Sequence, residues 1–184
     1  LDAQQKKIDQ KLQAALERPE QPLLEGFMQK WAGIERDFTH KPEATGVPQE
    51  NLLRLSTDMT SFPDNFTPHK KLAALMQKRR QMVNDGDAID WGAGEALAFA
   101  SLLDEGKNVR VSGQDCRRGT FSHRHAYLYD EKTRERYCPL QHITPDQARI
   151  CIYNSLLSEA AVLGFDYGYS LNYPDMLCMW EAQF

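Results

Sequence analysis

Strand-like and helix-like segments alternate through the second half of the chain, from residue 90 to residue 181. Short runs rich in apolar residues, at Asn108–Ser112, Ile150–Tyr153 and Met176–Trp180, have the composition of buried strands. Helical patterns lie between them and before them, at Gly94–Glu105 and after Ser158. This alternation is typical of α/β domains, so we predict a sheet that is largely parallel.

The segment Asn154–Ser170 is predicted to form a polar turn followed by a largely buried helix. Its apolar residues recur at helical spacing, at Ala161, Val162, Phe165 and Tyr169. Ser158 is a candidate N-cap, and Glu159 lies in the first turn. Gly164 and Gly168 are interpreted as packing glycines. The pattern leaves two interpretations of Glu159 open, because a first-turn carboxylate either compensates the helix dipole or takes part in chemistry.

Residues 1–85 are predicted to form a helical connector, and residues 86–184 a second domain with Trp91 and Trp180 in its core. The connector contains four amphipathic patterns, at Asp2–Glu17, Leu23–Ile34, Gln49–Met59 and His69–Val83. The last pattern carries Lys78-Arg79-Arg80, which we interpret as a solvated face, with a nucleic-acid patch as the alternative.

Composition narrows the function classes. The net charge of −4 provides no broad basic field, so we predict no nucleic-acid partner. No apolar run approaches membrane-spanning length, and we predict no association with a membrane. The four cysteines are scattered without a CxxC pair, which favours reduced thiols inside a cell over disulfides or a zinc site.

A loop rich in cations follows the strand predicted at Asn108–Ser112. Gln114 and Asp115 come directly after this strand, at the end where α/β sheets gather their ligands, although Asp115 would also serve to cap a turn. His123 and His125 lie two positions apart further along the loop, so their side chains share one side if this segment is extended. They are either surface histidines or part of a site, and no third ligand has the spacing that a metal would need. A hairpin is predicted to follow, over Ala126–Asp130 and Arg136–Pro139.

Several stretches together resemble one family, the thiamin-diphosphate-dependent, decarboxylating first component of the 2-oxoglutarate dehydrogenase complex. The stretches that carry the resemblance are Ala88–Trp91 with Gly94–Phe99, Val109–Asp115 with Arg118–Ala126, Asn154–Ser170, and Trp180–Phe184 (WEAQF). These motifs are long and ungapped. The resemblance implies an α/β fold, with a helical connector followed by the first part of a pyrimidine-binding thiamin-diphosphate domain that is incomplete at its C-terminal end. We therefore expect the 184 residues to be part of a longer polypeptide.

The resemblance also implies an activity. The family decarboxylates 2-oxoglutarate oxidatively on thiamin diphosphate and passes the succinyl group to a lipoyl arm of a partner acyltransferase, as a step of the tricarboxylic acid cycle. It implies a homodimer in the bacterial cytoplasm or the mitochondrial matrix, with magnesium bound by sequence outside these residues. We expect the isolated 184 residues to be inactive.

The resemblance assigns Glu159 as the glutamate that activates the cofactor. Such a carboxylate bonds to the pyrimidine ring nitrogen and favours the imino tautomer of the neighbouring amine, which then accepts a proton from the thiazolium carbon. Asp115, with the adjacent Gln114, is implied to lie close to the cofactor. Phe184 is either an aromatic that packs on the pyrimidine ring or a core residue.

The resemblance places the loop near the entrance of the active site, where cations would hold substrate carboxylates. His125 and His123 are then candidate catalytic residues, and Arg124 and His125 candidate substrate contacts, with His125 and Arg124 preferred over His123. The chain departs from the family at two positions. The family often has an acidic residue where Ala160 stands and a glutamate where Asp166 stands. These departures leave 2-oxoadipate open as the substrate, and a non-catalytic dimerisation or interaction module remains the other alternative.

Overall fold

The computed structural model describes residues 2–17, 25–34 and 42–183. These residues form two compact units, residues 1–39 and residues 40–184. The first unit contains helices α1 (Asp2–Leu16) and α2 (Glu25–Lys30). The first predicted helix is confirmed, and the second is shorter than predicted.

The second unit contains four helices and five strands. The helices are α3 (Gln49–Asp58), α4 (Lys70–Asp85), α5 (Trp91–Asp104) and α6 (Glu159–Ser170). The strands are β1 (Val109–Gly113), β2 (Leu128–Tyr129), β3 (Arg136–Tyr137), β4 (Ile150–Asn154) and β5 (Leu177–Glu181).

Three of the strands form a parallel sheet in the order β4-β1-β5. Val111 in the central strand pairs with Ile152 on one side and Met179 on the other. β1 is buried along its whole length, as expected for a central parallel strand. The α/β fold with a parallel sheet is confirmed. The predicted hairpin is also present, because β2 and β3 pair in antiparallel orientation.

Helix α5 begins three residues earlier than predicted because Asp90 caps it. The Asp90 carboxylate accepts a hydrogen bond from the backbone N–H of Ala93 at 2.8 Å. The earlier start makes Trp91 the first residue of the helix, where it is 92% exposed. The prediction that Trp91 belongs to the core is wrong.

The core lies between the sheet and helices α3, α4 and α5. Leu55 of α3, Val83 of α4 and Phe99 of α5 belong to one buried cluster that also contains Val111 and Ile152 of the sheet. Two helices of the predicted connector thus share a core with the strands that follow them. The division of the chain at residue 85 stays a prediction.

Helix α6 is far less buried than the sequence pattern predicts. Only Val162 and Asp166 of this helix are buried, whereas Phe165 remains 55% exposed. A methyl group placed on Gly164 or Gly168 would meet no atom within 4 Å. The predictions of a largely buried helix and of packing glycines are therefore wrong for the described residues, because no element among them covers the outer side of α6.

The described part of the chain contains no helix that is both long enough and apolar enough to cross a membrane.

Candidate active site

The candidate site residues lie at one edge of the parallel sheet. Parallel strands bring their carboxyl ends to the same edge, so the segments after β1, β4 and β5 all leave the sheet there. The cation-rich loop follows β1, the turn before Glu159 follows β4, and Gln183 lies just after β5. The segments that carry the candidate residues therefore leave the sheet at one edge, although no hydrogen bond or ion pair joins Glu159 to the cation-rich loop among the described residues.

Glu159 begins helix α6 as the sequence predicts. The Ser158 hydroxyl accepts a hydrogen bond from the backbone N–H of Ala161 at 3.4 Å and caps the helix. Glu159 is half-buried, and its Oε2 atom is buried without a hydrogen-bond partner among the residues that the structure describes. A buried carboxylate oxygen normally has a donor, so this atom has a vacant position for one.

Arg124 has a different environment, because carboxylates meet its guanidinium from two directions. Its Nε and one terminal nitrogen donate to the two oxygens of Glu95 at 2.6 and 2.8 Å. The other terminal nitrogen donates to Glu181 and, at 2.6 Å, to the carbonyl of Cys116. Arg124 is 6% exposed and joins α5, β5 and the end of β1.

The electrostatics of this cluster favour its charged form. Burial alone would lower the pKa of Arg124, but the hydrogen bonds that it donates to Glu95 and Glu181 outweigh burial and raise its pKa above the ordinary value. Burial would likewise raise the pKa of Glu181, and the hydrogen bond from Arg124 holds it below the ordinary range instead. With every nitrogen of Arg124 engaged, the geometry favours a structural role, and its predicted substrate contact stays a prediction.

The backbone around Arg124 is strained. Asp115, Ser122 and His125 have positive φ angles of 54°, 54° and 46°, a region that non-glycine residues rarely adopt. Gly119 has φ +81°, and a methyl group at this position would collide with the ring of His123. The loop is thus held in an uncommon conformation that its contacts must maintain.

The two histidines face different cavities. His123 lines an open cavity of about 370 Å³ with Thr120, Phe121 and Gln183, and its Nδ1 atom is buried without a partner in the described part of the chain. His125 lines a much smaller pocket of about 20 Å³. Burial lowers the pKa of His125, and the charges of Arg79 and Arg118 lower it further. The open cavity favours His123 as the residue that meets a ligand, and the catalytic role of each histidine stays a prediction.

The other predicted cofactor contacts have local partners. The Asp115 carboxylate pairs with Arg118, and its carbonyl accepts the backbone N–H of Gly119 at 3.0 Å, so Asp115 stabilises the turn after β1. The Gln114 carbonyl accepts a hydrogen bond from the Gln183 side chain at 3.3 Å. Cofactor binding by Asp115 and Gln114 stays a prediction, and Phe184 lies outside the described residues.

The described residues contain no group of three His, Cys, Asp or Glu side chains arranged to hold a metal ion. Burial also raises the pKa of Cys116 to about 11 and of Cys138 to about 12, which makes both thiols poor ligands at neutral pH.

Comparison with known families identifies the type of domain that contains this sheet. A model of the pyrimidine-binding domain of transketolase matches residues 87–184. The chain belongs to this family. The predicted resemblance is confirmed as well, because similar curated proteins are named 2-oxoglutarate dehydrogenases.

Three relatives illustrate the similarity. The mitochondrial 2-oxoglutarate dehydrogenase of Saccharomyces cerevisiae is 46% identical over 160 residues, which are 87% of this chain and 16% of the yeast protein. The Schizosaccharomyces pombe protein of the same name is 41% identical over all of this chain and 19% of its own length. The 2-oxoglutarate dehydrogenase E1 component of Rickettsia felis is 44% identical over 97% of this chain and 18% of its own length. The chain thus spans less than a fifth of these relatives.

Sequence reasoning missed three residues of the site. Glu95 and Glu181 lie in stretches that carry the family resemblance, yet neither was assigned a role, although a buried arginine requires such partners. Arg79 was assigned to a solvated face and is in fact buried beneath the loop. Helical spacing does separate Arg79 from the exposed Lys78, because Arg79 lies three residues after Met76 and four before Val83, on the buried face of α4.

Proposed function

We propose that these residues form part of a dehydrogenase first component that decarboxylates 2-oxoglutarate on thiamin diphosphate and transfers the succinyl group to a lipoyl arm. The observation that carries the proposal is the buried Oε2 atom of Glu159, which has no hydrogen-bond partner among the described residues. The names of the curated relatives support the substrate, and the pyrimidine-binding family supports the cofactor.

The residues at the sheet edge fit thiamin diphosphate. Its pyrimidine ring offers a protonated nitrogen to a carboxylate, and Glu159 presents an oxygen for which the residues in the described ranges provide no donor. Thiamin diphosphate supplies, when bound, a carbon nucleophile for the 2-oxo group. In this proposal Glu159 holds the proton at the ring nitrogen and thereby sets the tautomer of the cofactor.

The remaining parts of the proposed enzyme come from outside these residues. The diphosphate group and its magnesium ion would be bound by other sequence, in a homodimer that works with a lipoyl-bearing acyltransferase. The relatives include mitochondrial and bacterial proteins, which supports the mitochondrial matrix or the bacterial cytoplasm as the compartment. The isolated 184 residues are then inactive.

The test is the substitution Glu159→Gln in the full-length polypeptide that contains these residues. Glutamine keeps the size of the side chain but cannot hold the ring nitrogen in its protonated form, so decarboxylation should fall about 10²–10⁴-fold. The matched control is Glu50→Gln, since Glu50 is also a first-turn glutamate and lies exposed at the start of α3. The E50Q variant shows how much of any effect comes from losing a favourable charge at the N-terminus of a helix.

Turnover should be measured together with the affinity for thiamin diphosphate, by calorimetric titration in the presence of magnesium. Loss of turnover in E159Q but not in E50Q supports the catalytic assignment. Near-normal turnover and cofactor affinity in both variants would remove it. Running the assay on 2-oxoglutarate and on 2-oxoadipate in parallel decides between the two substrates.

An interaction module is the second candidate, and the exposed face of α6 favours it. Leu163, Phe165 and Tyr167 are each more than half exposed on this helix, and such apolar surface is suited to a protein interface. Asp166, one of the two departures from the family, lies on the inner side of this helix, where it forms a buried ion pair with Arg110. Full activity in E159Q, combined with loss of assembly when Phe165 is replaced by Ser, would favour this function.

A further inference from the structure

Arg79 of helix α4 is a buried cation that forms no ion pair in the part of the chain that the structure describes. It is 3% exposed. Its two terminal nitrogens donate to backbone carbonyls, one to Arg124 at 3.1 Å and the other to His123. The third nitrogen, Nε, is buried without a partner among the described residues. The interpretation of Lys78-Arg79-Arg80 as a solvated face is therefore wrong for Arg79.

Burying this guanidinium is costly. Burial lowers the pKa of Arg79, and the nearby charges of Asp90 and Glu95 offset that effect only in part. Neutral carbonyls compensate a buried charge less well than carboxylates do. A methionine of similar volume would avoid the desolvation of the charge but would leave both carbonyls without a donor, so these two hydrogen bonds are what the arginine provides.

The two carbonyls that Arg79 holds belong to the peptide groups between His123 and His125. The first links His123 to Arg124, and the second links Arg124 to His125. The orientation of these two peptides fixes the direction in which each histidine leaves the backbone. Arg79 therefore acts on the backbone of this segment, whereas Glu95 and Glu181 hold the Arg124 side chain.

The start of α5 is shaped to allow this contact. A methyl group on Gly92 would lie 2.5 Å from the His123 carbonyl oxygen and 2.9 Å from a terminal nitrogen of Arg79. The side chain of any other residue at position 92 would displace the loop and the Arg79 guanidinium from the start of α5. Three elements thus converge on the same peptide group: α4, the first turn of α5 and the loop.

We propose that Arg79 is a positioning residue that holds the His123–His125 segment in the conformation needed for the reaction. This inference rests on the proposed function, because it assigns Arg79 to the reaction that these histidines serve. Arg79 touches neither cofactor nor substrate in this account. It acts through the two peptide groups of the loop.

The test compares Arg79→Met and Arg79→Lys in the full-length polypeptide with Arg80→Met as the matched control. Arg80 is the next residue of α4 and bonds to Thr60 at 2.9 Å and to Ser61 at 3.0 Å, without a hydrogen bond to the loop among the described residues. We expect R79M to lower kcat for 2-oxoglutarate about 10–100-fold, the effect of a misplaced site, with KM changed less than about threefold. R79K should recover part of this loss, because a lysine can still donate to one of the carbonyls.

A second readout does not depend on activity. Hydrogen exchange of the amides in residues 117–126 should accelerate at least about tenfold in R79M and stay unchanged in R80M, because the loop opens locally when its contacts are lost. Equal kcat and equal loop exchange in the wild type, R79M and R80M would overturn the inference. So would an equal loss of kcat in R79M and R80M.

The exchange measurement also separates this inference from the proposed function. If the wild-type protein does not turn over 2-oxoglutarate, the proposed function fails. Accelerated loop exchange confined to the Arg79 variants would then still support positioning by Arg79, and unchanged exchange would overturn it.

Discussion

The cation-rich loop and the start of helix α6 lie at the same edge of the sheet, but they satisfy their buried charges in opposite ways. In the loop, the buried guanidinium of Arg124 is surrounded by two carboxylates and a carbonyl from the same chain. At α6, the carboxylate of Glu159 keeps a buried oxygen for which the described residues provide no donor. The hydrogen-bond partners of the loop therefore come from the described chain. The buried oxygen of Glu159 needs a donor from another molecule or segment.

The largest effect on stability should come from breaking the loop cluster at Arg124. R124M leaves Glu95 and Glu181 facing each other without their cation, and removing one partner of a buried ion pair costs about 3–5 kcal/mol. Hydrogen exchange of residues 117–126 in the full-length protein measures this cost as local opening. The control is R54M, because the Arg54–Asp104 pair lies at the surface, with 41% of the arginine side chain exposed. Its loss should cost about 0–1 kcal/mol, and similar costs for both variants would contradict the comparison.

A smaller effect is expected at Gly119. G119A forces a side chain into a φ of +81° and against the ring of His123, so the loop should lose about 1–3 kcal/mol of local stability. The same exchange measurement reports it. If the loop amides of G119A and of the wild type exchange hydrogen at the same rate, the close approach of Gly119 does not fix the ring of His123.

Gly164 provides the opposite case at α6. A methyl group there meets nothing within 4 Å, and alanine favours a helix over glycine by about 0.5–1 kcal/mol. We therefore expect G164A to slow exchange of the α6 amides. Faster exchange in the full-length protein would mean that a neighbouring segment packs closely against this glycine.

The smallest effect concerns pH. Burial holds the pKa of His125 below its ordinary value, so the unfolded chain takes up a proton at higher pH than the folded one. The contribution of His125 to stability is therefore present above about pH 6.5 and is lost as the pH falls further. Thermal midpoints of wild type and H125Q should converge between pH 7.5 and 5.5, and a constant difference would contradict this assignment. Glu181, whose pKa is also lowered, loses its contribution only at more acidic pH.

The sequence predicted the parts of the fold that depend on local patterns. Strand β4, the Ser158 cap and the first-turn position of Glu159 all follow from residue spacing and capping chemistry. The carboxyl edge of the sheet as the place where the candidate residues gather also followed, because it depends only on strands being parallel.

Long-range packing could not be predicted in the same way. Helical spacing places Arg79 on the buried face of α4, but its contact with a loop more than forty residues away cannot be seen in the local sequence. The exposure of Trp91 followed from the Asp90 cap, which moved the start of α5. The apolar pattern of α6 predicted burial correctly only for the side that faces the sheet, since apolar periodicity does not show what covers the other side.

The assignment of Glu159 to the cofactor is the central claim, and a structure of the full-length protein with bound thiamin diphosphate tests it most directly. In that structure, we expect Glu159 Oε2 to accept a hydrogen bond from the pyrimidine ring nitrogen at about 2.7–3.0 Å. The ring would then supply the donor that this atom lacks in the described chain. A pyrimidine ring bound elsewhere, with Glu159 Oε2 paired to a protein donor, would contradict the account.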